Sequence, residues 1–225
     1  MLEDFAVGEF HANDFYRGRG EFRGWTEDRK DELRSAIIEL LRKSQVKHSS
    51  ALVVNDDYRR SFVETGFNES IRPAVNKWKK PYLIAFQHTV GDLRERADYE
   101  PKGCYIVPTF DNCQEFMGQA REDYDKRNAD GKLGGMHVLT GRHEYVQMQA
   151  ADLFAWEYRV YAERYIANRQ LDPGRVLEAL REHSFGAKLW SLDFLEYLRR
   201  RVAATNNGVD PATISMPKSP VLKRE

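Results

Sequence analysis

Apolar positions along the chain recur mostly with the spacing of a helix, and the longest such stretch is Val146 to Asn168. There Met148, Ala151, Ala155, Tyr158 and Ala162 form a stripe of small and apolar residues, which predicts a helix able to sit close against a sheet. Glu27 to Ser44 shows the pattern again: Leu33, Ile37, Leu40 and Leu41 make one face, Thr26 can cap, and Glu27 and Asp28 suit the positive end. After Pro81, the positions Leu83, Phe86, Val90 and Leu93 keep helical spacing. Pro73 suits the first turn of a preceding helix, so two helices broken near Lys80 are expected. Gln114 to Asn128 places Phe116, Ala120 and Tyr124 on one face. Two further helices are expected near the chain's end, capped by Asp172 with Pro173 and by Ser191.

Strand signals are shorter. Val46 to Val54 is apolar at its far end and leaves through Asn55 and Asp56, and Met136 to Leu139 follows the Asp130–Gly131 turn. Cys104 to Phe110 reads CYIVPTF, a buried-strand pattern in which Pro108 argues for a bulge or an edge, and it ends in Asp111. In FHANDFYRGRGEFRGW, glycines 18, 20 and 24 argue against regular structure, while aromatics at 15, 16, 22 and 25 can anchor an ordered loop. Beyond Ala204 three prolines and little aliphatic pattern predict a disordered tail over 205–225, leaving 1–204 as a single helix-rich α/β domain.

Composition narrows what such a domain can bind. Lys plus Arg and Asp plus Glu both number 35, so no global field draws the chain to nucleic acid or acidic membranes, and a polyanion would need a local patch. The sequence printed shows no secretory pattern at its start and no apolar run long enough for a membrane helix, so a cytoplasmic protein without a membrane partner is expected. Two cysteines, Cys104 and Cys113, make neither a disulfide framework nor a zinc-ligand pair. No phosphate loop and no nucleophile elbow occurs, which argues against covalent catalysis.

Two carboxylates stand out by position. Asp111 ends an apolar strand, at the sheet edge where ligand sites form in α/β proteins. Asp152 lies beside the apolar stripe of the longest helix, where a charge needs a partner. Brought together they would repel, a cost that a hard cation such as Mg²⁺ or Mn²⁺ offsets. The alternatives are that Asp111 caps the helix starting near Gln114, and that Asp152 bonds Arg159 or a backbone amide. His143 and Glu144, just ahead of the same helix, offer a further ligand or a general base, or merely a helix-entry cap. His11 and Asp14 offer supplementary ligands, or a loop fixed by side-chain hydrogen bonds.

In order along the chain, FHANDF with GEFRGW, PYLIAF, IVPTFDN and HEYVQMQAADLFAWEYR resemble the bacterial domain-of-unknown-function family 3800 (DUF 3800), a branch of the ribonuclease-H-like superfamily. The resemblance covers most of Phe10 to Leu198, and QAADLFAWE is its most specific piece. It implies a ribonuclease-H-like mixed sheet flanked by helices, with carboxylates converging on divalent ions that activate water against a phosphodiester. Asp111 matches the family's aspartate closing the phenylalanine-aspartate strand, and Asp152 its aspartate in the glutamine-alanine-aspartate helix.

The family's first strand, with its aspartate-glutamate-serine-glycine motif, has no counterpart here, and its loss would expose strand edges prone to pairing as a homodimer. The expected function is thus a metal-dependent nuclease on DNA or RNA, with Asp111, Asp152 and Glu144 in catalysis and Asp111 and Asp152 on Mg²⁺ or Mn²⁺. The rival is an inactive, truncated relative serving as a binding or scaffold protein.

Overall fold

The structure is a computed structural model. It describes residues 3–44, 48–66, 80–101, 106–111, 114–139, 146–168, 174–180, 184–190 and 192–215. The chain divides into two compact units, the first made of 1–50 and 139–186 and the second of 51–138 and 187–225. Each unit is discontinuous in sequence. Among the described residues no helix is long and apolar enough to cross a membrane.

In unit 1 the helices are α1 (Ala12–Arg17), α2 (Glu27–Lys43), α6 (Val146–Asn168) and α7 (Gly174–Ala179). Helix α2 starts as its sequence predicts: the Thr26 hydroxyl accepts from the Arg29 amide, and acids fill the first turn while Arg42 and Lys43 fill the last. Its buried face is Leu33, Ile37, Ile38 and Leu41, and Leu40 points outward, because Ile38 rather than Leu40 completes the stripe.

The glycine-rich segment before α2 is more regular than expected. Glycines 18, 20 and 24 do take positive φ, but they end and link short helical turns rather than preventing them. Gly18, at φ 62°, closes α1 by donating its amide to the Asp14 and Phe15 carbonyls, a turn no residue with a Cβ makes cheaply. Phe10, Phe15, Phe22 and Trp25 pack edge to face or tilted on one another. Phe15 and Phe22 are fully buried, which contributes roughly 1.5–3 kcal/mol each.

Helix α6 spans the predicted range, but its buried face keeps only Tyr158 and Ala162 of the predicted stripe. Gln149, Leu153, Phe154, Tyr158, Tyr161 and Ala162 are buried, whereas Ala151 and Ala155 face outward. Large side chains remove more apolar area from water than alanines do, so they set the inward face. Against α6 pack α1 and α7, and α7 also meets α2.

In unit 2, α3 (Asn55–Tyr58) continues into a π-helical turn, Arg59–Val63, so Asn55 and Asp56, where the preceding strand was expected to exit, also open a helix. Then come α4 (Pro81–Ala97), α5 (Met117–Arg127) and α8 (Leu192–Asn206). Helix α4 serves two clusters. Leu83, Phe86 and Val90 pack with Ala120, Tyr124 and Leu133, while Ile84 packs with Tyr58, Phe62, Phe194, Leu195, Tyr197 and Val202. After α8, a single 3₁₀ turn at Pro211–Thr213 carries Ile214 onto this second cluster, within a segment that composition assigned to a disordered tail.

The strands are few and short: β1 (His48–Val53), β2 (Thr109–Asp111), β3 (His137–Leu139) and β4 (Ser184–Trp190), the last without a counterpart among the expected elements. β1 pairs with β4, and β2 with β3. The Gly134 amide donates to the Ile106 carbonyl and the His137 amide to the Pro108 carbonyl, so the β2 and β3 segments advance together, as in a parallel pair. Pro108 thereby gives only its carbonyl, which is what a proline can offer a ladder. The coarse expectation of a helix-rich α/β chain holds. The helix expected after Pro73 and the part of the strand signal at 102–105 lie outside the described residues.

Candidate functional site

In unit 1 two segments 140 residues apart in sequence lie side by side. The Phe10 amide donates to the Gln149 carboxamide oxygen at 3.0 Å, and the Ala12 amide donates to Asp152 Oδ2 at 2.9 Å. Ala12 opens α1, so its N–H has no acceptor within the helix. His11 occupies the capping position without making a side-chain cap, and Asp152 supplies the missing acceptor from α6. Of the alternatives open from sequence, the bond to a backbone amide is therefore one that Asp152 makes.

His11 also touches this carboxylate. Its Nδ1 lies 3.9 Å from Asp152 Oδ2 and its Nε2 lies 3.3 Å from Glu9 Oε1, an imidazole set between two carboxylates. The Asp152 side chain keeps 34% exposure, enough to meet a solvent-borne ligand while one oxygen is pinned. Asp14 serves the turn: its carbonyl accepts from the Arg19 amide at 2.8 Å, and a Cβ on Gly20 would come within 3.4 Å of its carboxylate.

One turn further along, the Tyr16 hydroxyl donates to Glu157 Oε1, and the Tyr16 ring stacks on Trp156 at 5.5 Å between centroids and 4° between planes. Burial pushes the Glu157 carboxyl up to about 7, against the opposing pull of Arg164. At Gly174, where φ is 70°, an added Cβ would come within 3.8 Å of Glu157 Oε2 and 3.7 Å of an Arg164 nitrogen. Those are ordinary contact distances, so it is the left-handed φ rather than the space that favours glycine at the start of α7.

Asp111 is the last residue of β2, in unit 2, while Asp152 belongs to unit 1. β2 and β3 form a parallel pair, which places Asp111 at a carboxyl end, the edge where ligands settle in α/β sheets. His143 and Glu144 lie outside the described residues. Among the described residues no group of three or more His, Cys, Asp or Glu side chains is arranged to hold a metal ion.

Gln149, Glu157, Tyr16 and Trp156 were not among the residues expected at the site. A signal existed in QMQAADLFAWE itself: Gln149, Asp152, Trp156 and Glu157 fall near one side of a helix, and the two acids interrupt an otherwise apolar run. No protein-family model, no curated protein and no solved structure matches this chain.

Proposed function

We propose that the chain is a divalent-metal-dependent nuclease or phosphodiesterase of ribonuclease-H-like type. Asp152 would hold Mg²⁺ or Mn²⁺, and Asp111, Glu144 and His143 are the further residues that the sequence assigns to this chemistry, Asp111 as a ligand and Glu144 or His143 as a supplement. The observation that supports this reading is the pair of bonds from Phe10 and Ala12 to Gln149 and Asp152. They bring the HAND segment, with the supplementary candidates His11 and Asp14, onto the QAADLFAWE helix that carries Asp152.

The donor chemistry of Asp152 fits a hard cation, being a carboxylate oriented through one oxygen and a third exposed. A bound ion would supply Lewis acidity toward a phosphodiester and a more acidic bound water. The chain's own contribution is orientation by the Ala12 amide, with the His11 imidazole set beside the same carboxylate.

The same bond favours a second reading, a non-catalytic binding or scaffold protein in which Asp152 is simply the missing cap of α1. Asparagine separates the two, because it keeps the acceptor and removes the charge. Cleavage of single- and double-stranded DNA and RNA should be measured with Mg²⁺ or Mn²⁺ for the wild type, Asp111→Asn and Asp152→Asn. The nuclease reading expects each variant to lose roughly 100-fold or more, at least what the loss of a ligand's outer partner costs. Absence of cleavage on every substrate would leave the scaffold reading, and full activity in both variants would overturn the roles given to Asp111 and Asp152.

A further inference from the structure

Beside the candidate ligand Asp152, unit 1 carries a layered set of flat side chains that metal chemistry leaves unused. Tyr16 lies parallel on Trp156, the Arg159 guanidinium sits 4.0 Å from the Trp156 ring centroid, and Arg17 lies 5.9 Å from the same ring. On the far side of Tyr16, Arg34 lies 5.5 Å from its ring and 5.5 Å from that of Phe15. Tyr16 is fixed in this plane by its bond to Glu157. The stack is partly open to solvent: Tyr16 and Trp156 are partly exposed, Arg17 is exposed, and the Arg159 side chain is 46% exposed.

The surroundings are basic although the chain as a whole has no net charge. Arg19 and Arg23 are exposed on the glycine-linked turns that follow α1. Of the acids nearby, Glu163 pairs with Arg159 at 3.5 Å and Asp31 with Arg34, while Glu157 accepts from Tyr16, Glu21 from the Gly8 amide and Asp152 from the Ala12 amide, so the charge offered to a polyanion comes mainly from Arg17, Arg19 and Arg23. This is the local patch that a polyanion would need on a neutral protein. With the ring faces covered by one another and by arginines, the outer planes of the guanidinium groups offer stacking faces to unpaired bases, and the same arginines meet phosphates. A duplex, whose bases are already stacked, can use only the charges.

We propose that Trp156, Arg159, Arg17 and Tyr16 form a stacking platform for single-stranded nucleic acid. The proposal rests on the nuclease reading for its place in a reaction, since it names the substrate class that would be delivered to Asp152. Asp152 and Arg159 are seven residues apart on α6, so they lie near the same side of the helix, about 10 Å apart along its axis. Helix α1 runs beside α6 in the same direction, Ala12 at Asp152 and Tyr16 at Trp156, so platform and carboxylate share one edge.

The test is fluorescence anisotropy of the full chain in EDTA, where metal-dependent cleavage cannot contribute. The probes are labelled oligo(dT) and oligo(U) of about 20 nucleotides and a duplex of the same length, with polyglutamate as competitor. Single strands are expected to bind at least roughly tenfold more tightly than the duplex. The double variant Arg17→Gln with Arg159→Gln is expected to lose roughly tenfold or more while its circular dichroism and melting temperature stay those of the wild type, and Trp156→Phe is expected to retain most binding. Equal affinity for duplex and single strand, no loss in the double variant, or full displacement by polyglutamate would each overturn the platform, the last in favour of an acidic protein partner. Binding without cleavage on adding metal would keep the platform and remove the nuclease reading. Cleavage with no single-strand preference would do the reverse.

Discussion

Asp152 accepts a backbone amide of α1 and is also the ligand of the proposed reaction, and the two uses would respond differently to substitution. Asp152→Ala leaves the Ala12 amide without its charged acceptor and is expected to cost about 1–2 kcal/mol in urea or thermal denaturation. Asp152→Asn keeps an acceptor and is expected to cost much less; an equal loss in both would mean that the charge, not the cap, stabilises α1. Glu157 makes a pH-dependent prediction. Its folded pKa, about 7, lies above the ordinary 4.5, so the folded state holds the proton more tightly than the unfolded chain does. The stabilisation is therefore complete below about pH 4.5 and is lost as pH rises through about 7. Glu157→Gln keeps an acceptor for Tyr16 and cannot ionise. Its melting temperature is expected to match the wild type near pH 5 and to exceed it by roughly 2–4 °C near pH 8. Parallel profiles for the two proteins would show that Glu157 does not titrate in this window. Asp111 and Asp152 could be singled out from sequence because each breaks an apolar pattern. Glu157 does so too, but its partner Tyr16 lies 141 residues away, and no local pattern carries that pairing.

At the scale of elements, legibility followed length and termini. Helices α2, α4 and α6 were readable because each holds a helical period over several turns, and α2 and α4 are punctuated at their starts by Thr26 and Pro81. Within them the inward face was read less well: counting Leu40, Ala151 and Ala155 as apolar ignores that Ile38, Leu153 and Phe154 bury more. β4 was missed although Phe185, Ala187 and Leu189 alternate in SFGAKLW. Gly186 and Lys188 between them weaken the pattern, and what makes the segment a strand is its pairing with β1, far away in sequence. Helix α1 was missed for the complementary reason, since six residues cannot hold a helix alone and the acceptors from Gln149 and Asp152 are non-local. A local cap can be tested more simply. Thr26→Ala removes the acceptor for the Arg29 amide and is expected to cost about 1 kcal/mol, read as a shift of the urea midpoint at unchanged slope.

For the whole molecule, the end of the chain is where composition and packing part company. The residues after Ala204 are polar and proline-rich, and on composition they cannot offset the entropy of ordering. Yet α8 runs on to Asn206, the Asn207 and Val209 amides donate to the Ala203 and Ala204 carbonyls, and the Asp210 side chain accepts from the Ala212 amide. These bonds fold the backbone back so that one aliphatic side chain, Ile214, reaches the cluster of Tyr58, Phe62, Ile84, Phe194, Leu195, Tyr197 and Val202. An isoleucine packed behind such a turn is a contact that no average over composition would reveal. Deleting 207–225 is accordingly expected to lower the melting temperature by roughly 2–4 °C, the shift that about 1 kcal/mol produces in a chain of this size. Ile214→Ser in the intact chain is expected to reproduce most of that loss, because it removes the apolar contact and leaves the turn-forming residues in place. A deletion that leaves the melting temperature unchanged would mean that Ile214 adds nothing to the cluster and that the composition argument was sufficient. A deletion that costs far more than Ile214→Ser would place the stabilising contacts elsewhere in the segment.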